Sequence, residues 1–421
     1  MKKVAEKDSK ETVRMAIARG LAAVVRRDLH AFVVDAGMAA LQQLLEDERT
    51  AVCGPAHARQ AGRKAYRHGH APGELALGGR RVAVSRPRAR TVDGDEVVLP
   101  SWQHFGDEDP LTERAVEQML VGVTTRRYNR SLEPTPASVK TRGTSKSAVS
   151  RRFVAATERQ MDAWLKRDLS ALKLAVVMID GVHVEDHVLL VAVGIDAAGT
   201  KHVLGVREGA TENATACTAL LTDIVERGVA TDKAILAVLD GAKALAKAVR
   251  NVWGNRALVQ RCQVHKLRNV LDHLPEAGRA AAKKAMQKAY GSSNAKEAKS
   301  LLQALHRKLV DEHPGAAGSL EEGLDETLTV KRFVLPQSLE RTLSTTNAIE
   351  NLMGSFRRLS RNVHRWKNAK MIERWMVAAV IDAGTRFRKI RGYVGMKKLV
   401  AALDAHAASL NPNLDAAQKA A

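Results

Sequence analysis

Two unbroken apolar runs dominate the hydropathy pattern of this chain. Residues 174–179 (Leu-Ala-Val-Val-Met-Ile) lead into Asp180-Gly181, and residues 234–239 (Ala-Ile-Leu-Ala-Val-Leu) lead into Asp240-Gly241. Short continuous runs of this kind predict buried strands in a sheet covered on both faces. Strands are predicted also over 188–195 and 201–206, joined by the turn Ala197-Ala198-Gly199-Thr200, and over 257–260. Helical spacing predicts helices over 213–227 and 242–252. Residues 171–262 therefore read as an α/β block: three strands at hairpin spacing, then helix, strand, helix, strand. No Gly-x-Gly-x-x-Gly follows the first strand, which excludes a dinucleotide-binding fold.

The rest of the chain has other rhythms. Residues 11–48 read as helical, with Val13, Ala16, Ile17, Leu21, Val24 and Val25 at helical spacing. From 56 to 100, Pro72-Gly73, Gly78-Gly79 and Asp93-Gly94 punctuate short runs at 74–77, 81–84 and 96–99, a small basic β-meander. Arg86, Arg88 and Arg90 alternate on one face of it, as a phosphate track or a charged edge. Residues 111–169 are predicted helical, interrupted by Pro134 and Pro136. Gly143-Thr144-Ser145 opens a helix carrying Lys146, Ser147, Ser150, Arg151 and Arg152. Polar residues at a helix start followed by arginines read as the recognition helix of a helix-turn-helix. The stretch 129–142 is longer than a usual helix-turn-helix turn. Residues 266–335 are helical and polar and interrupt the α/β block. Pro336 closes them, and a last helical region begins near Thr345. The expected divisions are 1–55 (helical), 56–105 (meander), 106–170 (helix-turn-helix-like), 171–265 with 336–395 (α/β core), 266–335 (helical insertion) and 396–421 (tail).

Charge narrows the partner. Lys and Arg total 67 against 46 Asp and Glu, a formal net charge of +21. Such an excess points to a polyanion, and nucleic acid is the commonest. There is no apolar stretch of about 18 residues and no signal-peptide core, so a soluble cytoplasmic protein is expected, with no membrane partner. The three cysteines, Cys53, Cys217 and Cys262, are far apart and include no Cys-x-x-Cys pair, which is neither a disulfide framework nor a structural zinc site.

Asp-Gly is ordinary turn chemistry. It is also where an open α/β sheet gives way to its ligand cleft. Two carboxylates at strand ends suit one or two hard cations if the two strands are neighbours. Glu185, Asp186 and Asp196 sit at turns and Asp223 and Glu226 on a helix, and all five read as surface.

Three further blocks carry a resemblance. They are Arg261-Cys262-Gln263-Val264-His265-Lys266-Leu267-Arg268, then Ser344-Thr345-Thr346-Asn347-Ala348-Ile349-Glu350-Asn351, then Arg361-Asn362-Val363-His364-Arg365-Trp366-Lys367-Asn368 with the later Arg374-Trp375. Over residues 100–405 the chain resembles the mutator-type transposases of bacterial insertion sequences, DDE enzymes with a ribonuclease-H-like fold. The resemblance implies a catalytic, metal-ligating triad of Asp180, Asp240 and Glu350. It implies two Mg²⁺ ions, with Mn²⁺ as a substitute, and Asp180 as the bridging ligand. The 110 positions from Asp240 to Glu350 (350 − 240) match a family with a helical insertion there. Cys262 and His265 are too few for a closed zinc site and read as a structural pair near the acids, with His265 as a general base the weaker alternative. Arg357, Arg358, Arg361, Arg365 and Lys367 are read as a DNA track on one helix and its extension, with Trp366 stacking or packing beside them. The implied partners are double-stranded DNA, as terminal inverted repeats and target, and further copies of the chain, at least a dimer on DNA, in a bacterial cytoplasm at the nucleoid. The implied reaction frees a 3′ hydroxyl and joins it to target DNA. The alternatives are a structure-specific nuclease of the same fold and a catalytically silent transposase-derived DNA-binding protein.

Overall fold

The computed structural model describes residues 29–58, 62–77, 79–107, 110–210, 213–384 and 387–410. The helical positions expected at 13–25 lie outside them. The chain divides into two compact units between Ala156 and Thr157.

The first unit opens with helix α1 (Leu29–Cys53). Strands β1 (Ala65–Leu77) and β2 (Arg80–Thr91) form a long antiparallel ribbon, from Ala65 opposite Thr91 to Leu77 opposite Arg80. They are far longer than the short runs the sequence suggests. Each face of the ribbon alternates, and Leu75 and Val84 pack with Leu45 of α1 and Leu99. The short β3 (Glu96–Val97) adds to β2. Glu96 changes the reading of the arginine face, because its carboxylate accepts from Arg86 at 2.7 Å and from the Arg88 Nε at 3.1 Å. Two of the three alternating arginines are thus occupied by an acid from the neighbouring strand.

Helices α2 (Pro100–Asp107) and α3 (Pro110–Leu120) precede α4 (Lys146–Lys166). The connection from α3 to α4 is not the tight turn of a helix-turn-helix. It holds a 3₁₀ turn, Tyr128–Ser131, and a strand β4 (Thr141–Arg142) that pairs with β2. Pro134 and Pro136 deny the intervening chain a helix, and the extended backbone after them finds its hydrogen bonds on the ribbon. Val149 of α4 is buried with Ala115 and Tyr128.

The second unit holds a five-stranded sheet in the order β7-β6-β5-β8-β9. Its strands are β5 (Leu174–Val184), β6 (His187–Asp196), β7 (Lys201–Glu208), β8 (Ile235–Leu239) and β9 (Ala257–Arg261). The first three are antiparallel neighbours, and β8 and β9 run parallel to β5. Helices α5 (Ala214–Glu226) and α6 (Lys243–Trp253) cover one face. There Val177, Ile179, Leu190, Ala192 and Leu204 pack against Leu220, Ile224, Val249 and Trp253. The alternate residues Val176, Met178, Val191 and Val193 are equally buried and face the other side.

Between β9 and the last helices lies a helical stretch: α7 (Gln263–Asp272), α8 (Glu276–Tyr290), α9 (Ala295–Leu309), α10 (Pro314–Glu321) and the short α11 (Thr329–Arg332). It has its own core of Val270, Met286, Leu302 and Leu320. Helices α12 (Gln337–Leu343), α13 (Asn347–Leu359), α14 (Ala369–Gly384) and α15 (Met396–Leu410) follow. Helix α13 lies on β5 and β6, and α14 on β7.

The basic run after Glu350 is not one helix and its extension. Helix α13 stops at Leu359, and residues 360–368 form a loop. Trp366 folds back to stack on Phe356, centroids 5.6 Å apart, and the Asn368 side chain accepts from the Met371 N–H at 2.9 Å to start α14. Asp196 is not bare surface either. Its carboxylate accepts from the Ala198 and Thr200 N–H groups and is paired with His202, so it builds the β6–β7 turn. These interactions hold the carboxyl below its usual range against the opposing effect of burial.

Candidate active site

The cleft begins where two strands part. β8 pairs with β5 only along Val176–Ile179, opposite Leu236–Leu239. One residue later β5 continues, paired with β6 alone, while the chain leaves β8 at Asp240. Asp180 is therefore inside a strand rather than at its end, but it sits at the edge of the parallel pairing. Following Val176 and Met178 at a period of two, it faces the side that α13 covers. Asp180, His183, Asp240, Lys243, His265 and Glu322 line a common cleft of about 590 Å³.

Asp180 is buried, and its carboxyl is raised above the usual aspartate range. Burial is the main cause, and the charge of Asp240 adds to it. His265, the Thr346 hydroxyl and the Gly181 N–H act in the opposite direction. The Asp240 Oδ1 accepts the Ala242 N–H at 2.9 Å, and Gly241 has φ +111°. The turn reading and the cleft reading of Asp-Gly hold together here: the turn aims the carboxylate.

The Cys-x-x-His turn joins the pieces. The Cys262 N–H donates to the Leu239 carbonyl at 2.7 Å, at the end of β8. The Gln263 N–H donates to the Ser344 carbonyl at 3.0 Å. The Thr346 hydroxyl donates to the Cys262 sulfur at 3.6 Å. His265 places Nδ1 4.0 Å from the Asp180 Oδ2, and that nitrogen is buried with no hydrogen-bond partner. Interaction with Cys262 first, and with Asp180 next, raises the His265 imidazole to about 9 against the effect of burial. Burial pushes the Cys262 thiol up, but the contacts with His265 outweigh it and the net shift is downward.

Glu350 lies in the first turn of α13, one turn beyond Thr346. It is not among the residues lining the Asp180–Asp240 cleft. Its carboxylate is 3.7 Å from Arg268 of α7, with the two side chains 46% and 59% exposed. Among the described residues, no group of three or more His, Cys, Asp or Glu side chains is arranged to hold a metal ion. The structure thus brings Asp180, Asp240 and His265 together and leaves Glu350 a helical turn from the residue that touches Asp180.

This geometry can be set beside known proteins. The family described as "Transposase, Mutator family" matches residues 9–389. The chain belongs to that family. It is 27% identical over 369 residues to the transposase for insertion sequence element ISRM5 of Rhizobium meliloti, covering 85% of this chain and 89% of that one. It is 24% identical over 355 residues to the transposase for insertion sequence element IS256 in transposon Tn4001 of Staphylococcus aureus, covering 81% and 87%. A transposase for insertion sequence element IS6120 of Mycolicibacterium smegmatis is 29% identical over 255 residues, covering 59% and 77%.

The insertion-sequence transposase presents its basic candidates in two places. On α4, Lys146, Ser147, Ser150 and Arg151 are exposed and Arg152 is half-buried, while Val149 and Phe153 face inward. Arg357 and Arg358 end α13, and Arg361, Arg365 and Lys367 occupy the loop after it, all five exposed. No helix among the described residues is long and apolar enough to cross a membrane. Sequence reasoning missed Thr346, Arg268, Lys243 and Glu322. The first two lie inside the quoted blocks. Lys243 and Glu322 carried no local signal, because only the folded insertion brings Glu322 to the cleft.

Proposed function

We propose that this transposase cleaves and joins DNA at the Asp180–Asp240 cleft, with Asp180, Asp240 and Glu350 as its metal ligands and a ribonuclease-H-like core as its frame. The observation that carries this reading is the parting of β5 and β8, which delivers two carboxylates into one cleft. The sheet order, with two parallel strands added beside an antiparallel three, supports the fold assignment. The donor set fits divalent magnesium. Asp180 is a buried carboxylate that burial and a second carboxylate both disfavour as an anion, and a hard cation relieves both effects. Mg²⁺ keeps waters and substrate phosphate in its shell, so two protein carboxylates with a third close by suffice. When bound, a pair of such ions supplies nucleophile activation and leaving-group stabilisation.

The chain's own residues do the rest. The Gly181 N–H holds the Asp180 carboxylate and the Ala242 N–H that of Asp240. Lys243 and Arg268 offer positive charge to phosphates entering the cleft. Glu350, exposed and 3.7 Å from Arg268, joins the other acids when DNA phosphate takes over that arginine. The α4 face of Lys146, Ser147, Ser150 and Arg151 reads the terminal inverted repeat, with Arg152 supporting it. Arg357, Arg358, Arg361, Arg365 and Lys367 hold phosphates of the end or target duplex. The assembly on DNA contains at least two copies of the chain.

The test is Asp240→Asn with a labelled transposon end carrying a 3′ hydroxyl in Mg²⁺. Cleavage and joining fall by orders of magnitude, while duplex affinity holds or rises, because a negative charge near phosphate is gone. Wild-type rates in Asp240→Asn would overturn the assignment. Cleavage by the wild-type chain without joined product would make it a nuclease.

A further inference from the structure

We infer that Arg261 is a positioning residue for Asp240, clamping the Asp240-Gly241 turn to the Glu322-Gly323 turn of the helical insertion. The inference rests on the reading of Asp240 as a metal ligand. Arg261 is the last residue of β9 and only 7% exposed. Its Nη2 donates to the Gly241 carbonyl. Its Nη1 donates to the Glu322 carbonyl at 2.6 Å, and the Glu322 carboxylate lies 3.5 Å from the same nitrogen. One guanidinium therefore holds a backbone carbonyl from each of two turns that are about 80 residues apart in sequence.

The two glycines show how close the fit is. A Cβ on Gly241 would lie 2.6 Å from the Arg261 Nε, and one on Gly323 2.7 Å from Nη1. Both have positive φ, +111° and +63°. Each turn thus needs glycine for its backbone and for the arginine pressed against it. Lys266 reinforces the insertion side, donating from Nζ to the Ser319 carbonyl and to the Glu322 carbonyl at 2.7 Å. On the other side, Gly241 follows Asp240 directly, and the Asp240 carboxylate is fixed by the Ala242 N–H of the same turn. Holding the Gly241 carbonyl holds the plane of that turn, and with it the direction of the carboxylate. The insertion is by this route attached to the chemistry and not merely interposed in the sequence. A lysine replaces the arginine only in part, since an ammonium is a point donor and a guanidinium a rigid fork spanning two acceptors.

The experiment compares full-length wild type, Arg261→Met, Arg261→Lys and Asp240→Asn by two measurements. Hydrogen–deuterium exchange without metal is followed in peptides spanning 239–243, 319–324 and β5. In Arg261→Met the first two segments exchange about tenfold faster together while β5 is unchanged. Strand cleavage is then titrated with Mg²⁺. The half-saturating concentration rises about tenfold or more, as for loss of a partner that orients a metal ligand, and the rate at saturating Mg²⁺ recovers to near wild type. Arg261→Lys shows the same effects in smaller measure, and it carries the test if Arg261→Met does not fold. Faster exchange at 319–324 alone, or an unchanged Mg²⁺ requirement, overturns the proposal and leaves Arg261 an anchor of the insertion only. Wild-type cleavage by Asp240→Asn overturns the metal-ligand reading instead, and the exchange data still decide whether the clamp exists.

Discussion

Gln260, beside Arg261 on β9, provides a perturbation whose size follows from the structure. It is fully buried. Its Nε2 donates to the Arg261 carbonyl at 2.7 Å and to the Thr327 carbonyl at 2.8 Å, and its Oε1 accepts the Val330 N–H at 2.8 Å. Gln263 donates to the same Thr327 carbonyl at 2.9 Å. Gln260→Leu keeps the volume and deletes all three bonds. The Val330 N–H loses this acceptor, and an orphaned buried donor costs roughly 1–3 kcal/mol. The two bonds to carbonyls add about 1 kcal/mol each. The leucine recovers roughly 1–2 kcal/mol through apolar burial. The net destabilisation is roughly 1–4 kcal/mol. In that variant the Thr327 carbonyl keeps Gln263. In Gln263→Leu it keeps Gln260, and the cost is about 1 kcal/mol. In the double variant it keeps neither. The double variant therefore exceeds the sum of the singles by roughly 1–2 kcal/mol. Urea unfolding of the full-length chain, with the slope checked for constancy, measures all four corners of the cycle. Additivity within about 0.5 kcal/mol would refute the shared-acceptor argument.

Three other outcomes follow. Burial lowers the Lys266 ammonium from 10.5 to about 8, with Arg261 nearby adding to the effect. Between those values the unfolded chain holds a proton that the folded chain does not, so this group's contribution to stability rises with pH through that window, by about 3 kcal/mol at most. Lys266→Met lacks this rise, and a wild-type minus variant stability difference that is flat from pH 8 to 10.5 would contradict the assignment. Arg268→Ala removes an ion pair whose partners are both well exposed, so thermal stability should change by less than about 1 kcal/mol; a larger drop would mean that the pair fastens α13 to α7. Cys262→Ser keeps an acceptor for the Thr346 hydroxyl, so cleavage should fall by under about tenfold, far less than in Asp240→Asn; an equal loss would make the thiolate part of the chemistry.

The core of the α/β block was legible because strands buried on both faces tolerate no polar residue, and the runs at 174–179 and 234–239 have none. The end of β5 was not. Beyond Asp180 the strand pairs with β6 alone and alternates, with Val182 and Val184 buried and His183 exposed, a pattern too short to see beside an Asp-Gly turn. The helix after Glu350 was read too long because its stop depends on Trp366 returning to Phe356, which leaves no mark in local composition. The arginines at 86 and 88 looked free for phosphate because Glu96 reaches them only across the sheet.

The sequence by itself determined the order of strands and helices in the α/β block, the excess of positive charge and the chemical types in the motif blocks. These are local properties: hydrophobic periodicity, turn residues and side-chain identity. Only the tertiary structure decided which of these residues meet. The Cys262 sulfur finds Thr346 across 84 positions, and Arg261 joins the Asp240-Gly241 turn to one inside the helical insertion. Such contacts depend on where strands stop pairing and where helices dock, which is a property of the packed chain and not of any window along it. Asp180 and Asp240 share a cleft because β5 and β8 are neighbours in the sheet. Glu350 stands in the first turn of α13, one turn beyond Thr346, because that helix begins only after Thr346 has reached the Cys262 sulfur.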